Sequence, residues 1–401
     1  MQISGPALLL VATALLARPH GPHAMGWTAY DTAQLDAACV RWVGDGGSRR
    51  APALSVAVGL NGRLIFARGY GEARPGVPAS ERTVYHIGSL TKQFTAAAML
   101  SLIDRNVRTP RSHHLLTVGS AVSDVLEGFD NWENSASSKA TVRGLLTMTS
   151  GVPNLVERPP PEVDPWSKVS ADRLLNALRE RPANNGAGIF SYNNSSYFLL
   201  AEMIEALSGA TATGATSFSD FVRAAVIVPA KLNDTAFVIG DRDYDATRVA
   251  VPSWGNTPPH RRRPAFVDAE WLKGAADMAS SATDLFAWDK ALMEGKVVSP
   301  ASRLLMFSDA ARVGPSRYYG MGWFVEHEQG WDWYSHAGYV PGFTSLNSIV
   351  RNPLDGSWVS VSLLTNADDV RGLDELSASI FQSVKQRSSP KLAADDWAGE
   401  R

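Results

Sequence analysis

At 401 residues, 45% of them hydrophobic, the chain can bury a sizeable core as one large α/β unit or as two interleaved subdomains. Its 38 Lys+Arg against 40 Asp+Glu leave a formal net charge of -2, which excludes an overall basic field for nucleic acid or anionic lipid. The one cysteine, Cys39, excludes an internal disulfide and a Cys-rich metal cluster.

Residues 1–25 carry an apolar run of about ten residues, too short to span a bilayer, then small residues and a Pro/Gly/His-rich stretch. This reads as an export signal with cleavage after Ala17 or Ala24, placing the mature chain in the periplasm or outside the cell. No other stretch is long and apolar enough to cross a membrane. Next, DTAQLDAACVRWV puts Leu35, Ala38, Cys39, Trp42 and Val43 on one helical face, with Asp31 or Thr32 available to cap it and Cys39 as a buried structural thiol. ALSVAVGL then alternates, Asn61-Gly62 supplies the positive φ angles of a tight turn, and RLIFARGYG runs back as a second strand.

From residue 89 to about 295 the pattern is helical, in LLNALRE, SYFLLAEMIEALSG, FSDFVRAAVI and SATDLFAWDKALME, between Pro-, Gly- and Asn-rich loops. HRRRP at 260–264 reads as a solvated loop, and His113-His114 as another, since no third ligand is suitably spaced for a metal. Alternation returns near 318: YYGMGWFVEHEQGWDWYSHAG reads as a hairpin, FTSLNSIV and SWVSVSLL as two further strands. DELSASIFQSVKQ closes with Leu376, Ile380, Phe381 and Val384 on one helical face. Strands at both ends with helices between predict an α+β fold: one antiparallel sheet completed by the N- and C-terminal segments, flanked by terminal helices, with a mostly helical subdomain inserted. In residue numbers the α/β part is 26–88 and 296–385, the helical part 89–295, and 386–401 a loose tail. The twelve tryptophans read mostly as core or rim.

HIGSLTKQFTAAAML, residues 86–100, places Ser89 and Lys92 three apart at the start of a helix. That spacing shares a face, so the amine can reach the hydroxyl, and the free N–H groups and positive dipole end favour negative charge there. Alone the pattern is cheap: Ser388 and Lys391 also match, though Pro390 between them breaks any helix. His-x-Gly is equally cheap, since His86-Ile87-Gly88 matches as well as His336-Ala337-Gly338. Tyr192 and Asn194 form Tyr-x-Asn in a loop leading into a helix, with Asn193 between them a turn residue. Neither His-Glu-x-x-His nor Gly-x-Ser-x-Gly occurs.

Taken in this order, with LLTMTSGVPN at 145–154, LNDTAF at 232–237, YGMGW at 319–323 and LLTNADD at 363–369, the three motifs resemble the serine β-lactamase-like family. That family groups class C β-lactamases, D-alanyl-D-alanine carboxypeptidases, and related esterases and D-amino-acid peptidases. The resemblance covers residues 50 to about 370 and implies a β-lactamase/transpeptidase-like catalytic domain over 26–385, its site where sheet meets helical part. It implies Ser89 as nucleophile, Lys92 orienting and activating it, and Tyr192 as proton shuttle to the leaving group. Asn194 would hold Lys92 and the substrate amide, and His336, Ala337 and Gly338 would line the site's edge. The oxyanion hole would be the main-chain N–H groups of Ser89 and Tyr339. Neither metal nor cofactor is implied. The partner is a small-molecule or peptide substrate, not nucleic acid, and the oligomeric state is open.

A phenol or a lysine amine is almost wholly protonated at pH 7, so either base needs a shift of about three units, or about 4 kcal/mol. A Tyr192 base, a Lys92 base and a coupled pair all remain open. His336 stands where typical class C β-lactamases carry lysine. Being mostly neutral at pH 7, it grips a substrate carboxylate less firmly, which points toward carboxypeptidase-like or esterase-like hydrolysis. Tyr339 is expected to narrow the acyl pocket. The rivals are a class C-type β-lactamase and a catalytically silent penicillin- or peptidoglycan-binding relative. The presence of Ser89, Lys92 and Tyr192 favours an enzyme over the latter.

Overall fold

The computed structural model describes residues 29–44, 53–129, 140–159, 169–180, 187–209, 211, 213–238, 241, 243–253, 272–368 and 370–388. The leader-like residues 1–25, HRRRP at 260–264 and everything beyond Ser388 lie outside them. Helix α1 (Ala29–Gly44) begins upstream of Asp31, so Asp31 and Thr32 sit inside its first turn and not at its cap. The hairpin follows as β1 (Ala53–Leu60) and β2 (Arg63–Arg74), with Asn61 and Gly62 at φ of 50° and 76° in the turn. Two short strands, β3 (Val77–Pro78) and β4 (Tyr85–His86), lead to α2 (Thr91–Asp104).

The helical section continues as α3 (Val142–Leu146), α4 (Ala171–Glu180), α5 (Asn194–Ser208) and α6 over 218–230, the last with a π-helical turn at Arg223–Ile227. It holds two strands the sequence reading did not foresee, β5 (Ala236–Phe237) and β6 (Met278–Ser280), which with β4 form a small sheet of order β4-β6-β5. Strands this short give no alternation to read. After α7 (Ala282–Met293) and α8 (Pro300–Met306) come β7 (Ala311–Arg312), β8 (Arg317–Tyr319), β9 (Phe324–Glu328), β10 (Trp331–Val340), β11 (Phe343–Arg351) and β12 (Trp358–Thr365). Helix α9 (Leu373–Ser388) ends the described chain.

The expected α+β fold is present. The main sheet runs β3-β2-β1-β12-β11-β10-β9-β8-β7, its N-terminal and C-terminal strands joined where β1 pairs antiparallel with β12. Side-chain size decides which helices cover which face. In β1 and β12 the large residues Leu54, Val56, Val58, Val359, Val361 and Leu363 point one way and pack under α1 and α9, against Leu35, Cys39, Leu376 and Ile380. Burying one such aliphatic side chain contributes about 1.5–3 kcal/mol. Cys39 is fully buried there, which pushes its thiol pKa up to about 12. The opposite face carries Ala57, Gly59, Ser360 and Ser362, small enough for α7 to press close; a Cβ on Gly59 would collide with the Phe286 ring. The sheet is therefore sandwiched, and its α7 side leads to the helical section.

Trp331 and Trp333 on β10 meet Phe381 of α9 at ring separations of 5.1 and 4.8 Å, while Trp288 and Trp323 are fully buried. No helix among the described residues is long and apolar enough to cross a membrane.

A surface clamp ties the β9–β10 hairpin to the loop after α8. His327 Nδ1 lies 2.8 Å from Asp332 Oδ1, and its Nε2 lies 3.0 Å from Asp309 Oδ1. Burial lowers the imidazole pKa, but the hydrogen bonds to Asp332 and Asp309 outweigh it and hold the pKa above its ordinary value. Because the folded pKa is raised, the stabilisation is complete below the unfolded value of about 6.5 and is lost as pH rises through the folded one. The residues are partly exposed, so solvent holds the gain under about 1 kcal/mol. Denaturant unfolding should show His327→Gln costing stability at about pH 5 and almost none at about pH 9; an equal loss at both would contradict the clamp.

Candidate active site

Four anchors hold the turn that carries Ser89. Ile87 N donates to Met278 O on β6 at 3.0 Å, and Thr91 Oγ1 donates to Gly88 O at 2.8 Å. Met278 N in turn donates to Thr91 Oγ1 at 3.2 Å, and Ser345 Oγ on β11 donates to Ile87 O at 2.8 Å. The 3-10 turn Gly88–Leu90 runs straight into α2, so Ser89 stands at the positive end of that helix. Strand β9 pairs with β10 only over Trp331–Ser335, and the turn packs against the stretch of β10 beyond it. The fit is tight: a Cβ on Gly88, which has φ of 51°, would lie 2.6 Å from Tyr339 N. A Cβ on Gly338 would collide with Ile87 O and Ser345 Oγ.

One turn along α2, the Lys92 side chain is fully buried and aimed at Ser89. Its Nζ contacts Ser89 Oγ at 3.1 Å, Asn194 Oδ1 at 2.7 Å and the Ala275 carbonyl oxygen at 2.9 Å. All three are neutral oxygens. The rings of Tyr192 and Tyr197 close over the amine, centroids 4.9 and 5.5 Å away. Burial drives the Lys92 pKa well below the ordinary lysine value, the Asp277 carboxylate opposing it without prevailing. Asn194 and Ala275 accept both N–H bonds of a neutral amine, which leaves its lone pair for the Ser89 hydroxyl.

Tyr192 and Asn194 are brought in by the start of α5. Asn193 between them is not a simple turn residue: it is the helix cap, its side chain accepting from Ser196 N and donating to Val152 O, and it is buried. The stretch LLTMTSGVPN brackets this loop, with Ser191 N donating to Met148 O at 2.9 Å, Asn154 Nδ2 to Tyr192 O at 3.3 Å and Leu155 N to Ser195 Oγ at 2.9 Å. Burial raises the Tyr192 pKa above the ordinary phenol value, its hydrogen bond with Ser89 working the other way. Of the alternatives open in the sequence, these directions favour a Lys92 amine as base and a Tyr192 phenol that keeps its proton.

His336 is buried against Tyr192, with ring centroids 6.1 Å apart. Its Nδ1 lies 2.7 Å from the Ala337 carbonyl oxygen and its Nε2 lies 3.1 Å from Tyr319 Oη; burial pushes its pKa down to about 3. Both nitrogens are engaged inside the protein. Arg317 lies near, its guanidinium 4.1 Å above the Phe324 ring and Nε 3.0 Å from Glu326. Tyr339 lines the cleft as well; it is 51% exposed and its hydroxyl donates to Asp368 Oδ1 at 2.9 Å, on the LLTNADD segment. Ser89, Tyr192, Asn194, His336 and Arg317 all line one cleft of about 1070 Å³. Sequence reasoning missed the Ala275 carbonyl, Tyr197 and Tyr319; only YGMGW gave any signal of the last.

A serine, a buried lysine and a tyrosine on this sheet-and-helix frame define the site of an acyl-transferring serine hydrolase. The family model described as Beta-lactamase matches residues 12–378, and the chain belongs to that family. It is 26% identical over 328 residues to the putative penicillin-binding protein PbpX of Bacillus subtilis (strain 168), covering 81% of this chain and 73% of that one. With penicillin-binding protein 4* of the same strain it shares 26% identity over 303 residues, 69% of this chain and 60% of that protein. The D-amino acid amidase of Ochrobactrum anthropi SV3, complexed with L-phenylalanine amide, has the same fold: TM-score 0.68 at 20% identity, over 90% of this chain and 98% of that one.

Gly338→Ala should push the Ser89 turn off β10. The expected outcome is about 1–3 kcal/mol less stability by denaturant unfolding and, in the folded fraction, at least about 10²-fold slower acylation of Ser89. Wild-type acylation in a folded variant would contradict this docking.

Proposed function

We propose that this serine hydrolase forms an acyl-enzyme on Ser89 and releases it with water, cleaving amide or ester bonds of small molecules or peptides. The observation that carries the reading is the dry Lys92 amine in contact with Ser89 Oγ. The Ser89 proton passes to Lys92 as Oγ bonds to the substrate carbonyl carbon. Main-chain N–H groups of Ser89 and Tyr339, with the start of α2, receive the oxyanion. As the carbonyl re-forms, the leaving nitrogen or oxygen takes a proton through the Tyr192 hydroxyl, and Lys92 returns to the free amine. Water then attacks the acyl carbon, its proton travels the same route in reverse, and Ser89 Oγ–H is restored.

Between substrates, one observation favours amides and esters with no free carboxylate beside the bond. His336, standing where typical class C β-lactamases carry lysine, is neutral with both ring nitrogens spent, and Arg317 is already paired with Glu326. A carboxypeptidase substrate or a penicillin brings a carboxylate that this edge is poorly made to receive. D-amino-acid amides and small esters fit better. The leader-like N-terminus makes export part of the proposal, with a mature chain starting at residue 18 or 25.

Intact-mass spectrometry of the purified protein reads both the nucleophile and the substrate preference. A p-nitrophenyl ester or D-phenylalanine amide should be turned over through an adduct absent from Ser89→Ala, while penicillin leaves little adduct. A lasting penicillin adduct would overturn the preference, and turnover by Ser89→Ala would overturn the nucleophile. A second prediction concerns pH. Only neutral Lys92 can take the Ser89 proton, so acylation should rise through the depressed Lys92 pKa and reach its plateau at a lower pH than an ordinary lysine would allow. Lys92→Met should cost about 10³-fold or more in kcat/KM. A wild-type rate still climbing tenfold per pH unit up to the ordinary lysine pKa of about 10.4 would contradict a lowered amine.

A further inference from the structure

Tyr319 on β8 is fully buried and takes no part in the chemistry above, yet its hydroxyl is 3.1 Å from His336 Nε2. The other nitrogen, Nδ1, is 2.7 Å from the Ala337 carbonyl oxygen. A carbonyl oxygen only accepts, so Nδ1 carries the ring proton; Nε2 then offers a lone pair, and the Tyr319 hydroxyl donates to it. The opposite tautomer would set a lone pair against the carbonyl. We propose that Tyr319 is a positioning residue for the Ser89 reaction: with the Ala337 carbonyl it holds His336 as the Nδ1–H tautomer in one ring orientation, and the fixed ring supports Tyr192.

The packing shows how this reaches the chemistry. The His336 ring is enclosed by Tyr319 at 5.9 Å, Phe324 at 5.4 Å and Tyr192 at 6.1 Å between centroids. The Tyr192 ring is also met by Lys92, whose Nζ lies 4.9 Å from that ring's centroid. A His336 ring that turned or charged would move the phenol that faces Ser89. The titratable and charged groups facing His336 are Lys92 of α2, Tyr192 ahead of α5, and Tyr319 and Arg317 of β8. None is a carboxylate, so nothing among them holds an imidazolium, and the neutral ring needs its donor at Nε2 to stay in one orientation. The same Nδ1–H bond steadies the Ala337 carbonyl on the stretch of β10 that lines the cleft.

The activity arm of the test rests on Ser89 as nucleophile; the spectroscopic arm does not. Long-range ¹H–¹⁵N spectra of the whole chain should show His336 as the neutral Nδ1–H tautomer from about pH 5 to about pH 9. An Nε2–H tautomer or an imidazolium near neutrality would overturn the proposal, whatever the substrate. In Tyr319→Phe the spectra should show Nε2 shifted toward the position of an unbonded ring nitrogen and broadened as the ring loosens, with kcat for p-nitrophenyl acetate down about tenfold and KM nearly unchanged. Adding His336→Gln to Tyr319→Phe should cost no more than His336→Gln alone, because Tyr319 acts through that ring. Independent, multiplying losses would overturn the proposal. If Tyr319→Phe does not fold, the wild-type Nε2 shift decides: displacement to the position of a hydrogen-bonded ring nitrogen supports the Tyr319 bond, and the position of an unbonded one would overturn the proposal. An inactive wild type with the Nδ1–H tautomer and a hydrogen-bonded Nε2 counts against the Ser89 reading and leaves the hold of Tyr319 on His336 standing.

Discussion

A buried amine whose direct hydrogen-bond partners are all neutral oxygens is the constraint on which the site depends. Lys92 is fully buried, its contacts are a serine hydroxyl, an amide oxygen and a main-chain carbonyl, and two aromatic rings roof it. Charging it there forfeits hydration that three neutral oxygens only partly replace, so the free amine is favoured, and that is the form a serine proton needs. The cost of enclosing such a group explains the density of polar contacts around it. Asn194 and Ala275 must be delivered from different segments, one by the cap of α5 and the other by the turn before β6.

The main sheet makes that enclosure rigid. Its small-residue face admits α7, its large-residue face is closed by α1 and α9, and β10 and β11 provide the flat wall on which the Ser89 turn docks. Glycines at 88 and 338 let two main chains approach where side chains would hold them apart. Catalytic geometry tolerates little displacement, so a fold that pins a serine between β6, β10 and β11 spends much of its sequence on keeping one hydroxyl in place.

How much of this the sequence disclosed depended on the kind of group. Ser89, Lys92, Tyr192 and Asn194 were readable because each pair lies within one turn of chain, and the strands β1, β2 and β9–β12 because their alternation is long. The Ala275 carbonyl left no trace, since main-chain acceptors carry no residue signature. Asn193 looked like a turn and is a cap, two states that favour the same residue. Tyr339 was expected at the pocket and lines the cleft, but its hydroxyl is held by Asp368, a partner 29 positions away that no local pattern announces. The order of protonation was also hidden, because it follows from burial, which spacing does not report. Burial lowers the amine, raises the phenol and keeps His336 neutral.

The charge state of one atom tests the account most directly. In protein labelled with ¹⁵N at lysine Nζ, the Lys92 signal should show the shift of a neutral amine at pH 7, while exposed lysines show ammonium. A Lys92 ammonium at that pH in the free, folded protein would contradict the account. The base would then have to be sought at Tyr192.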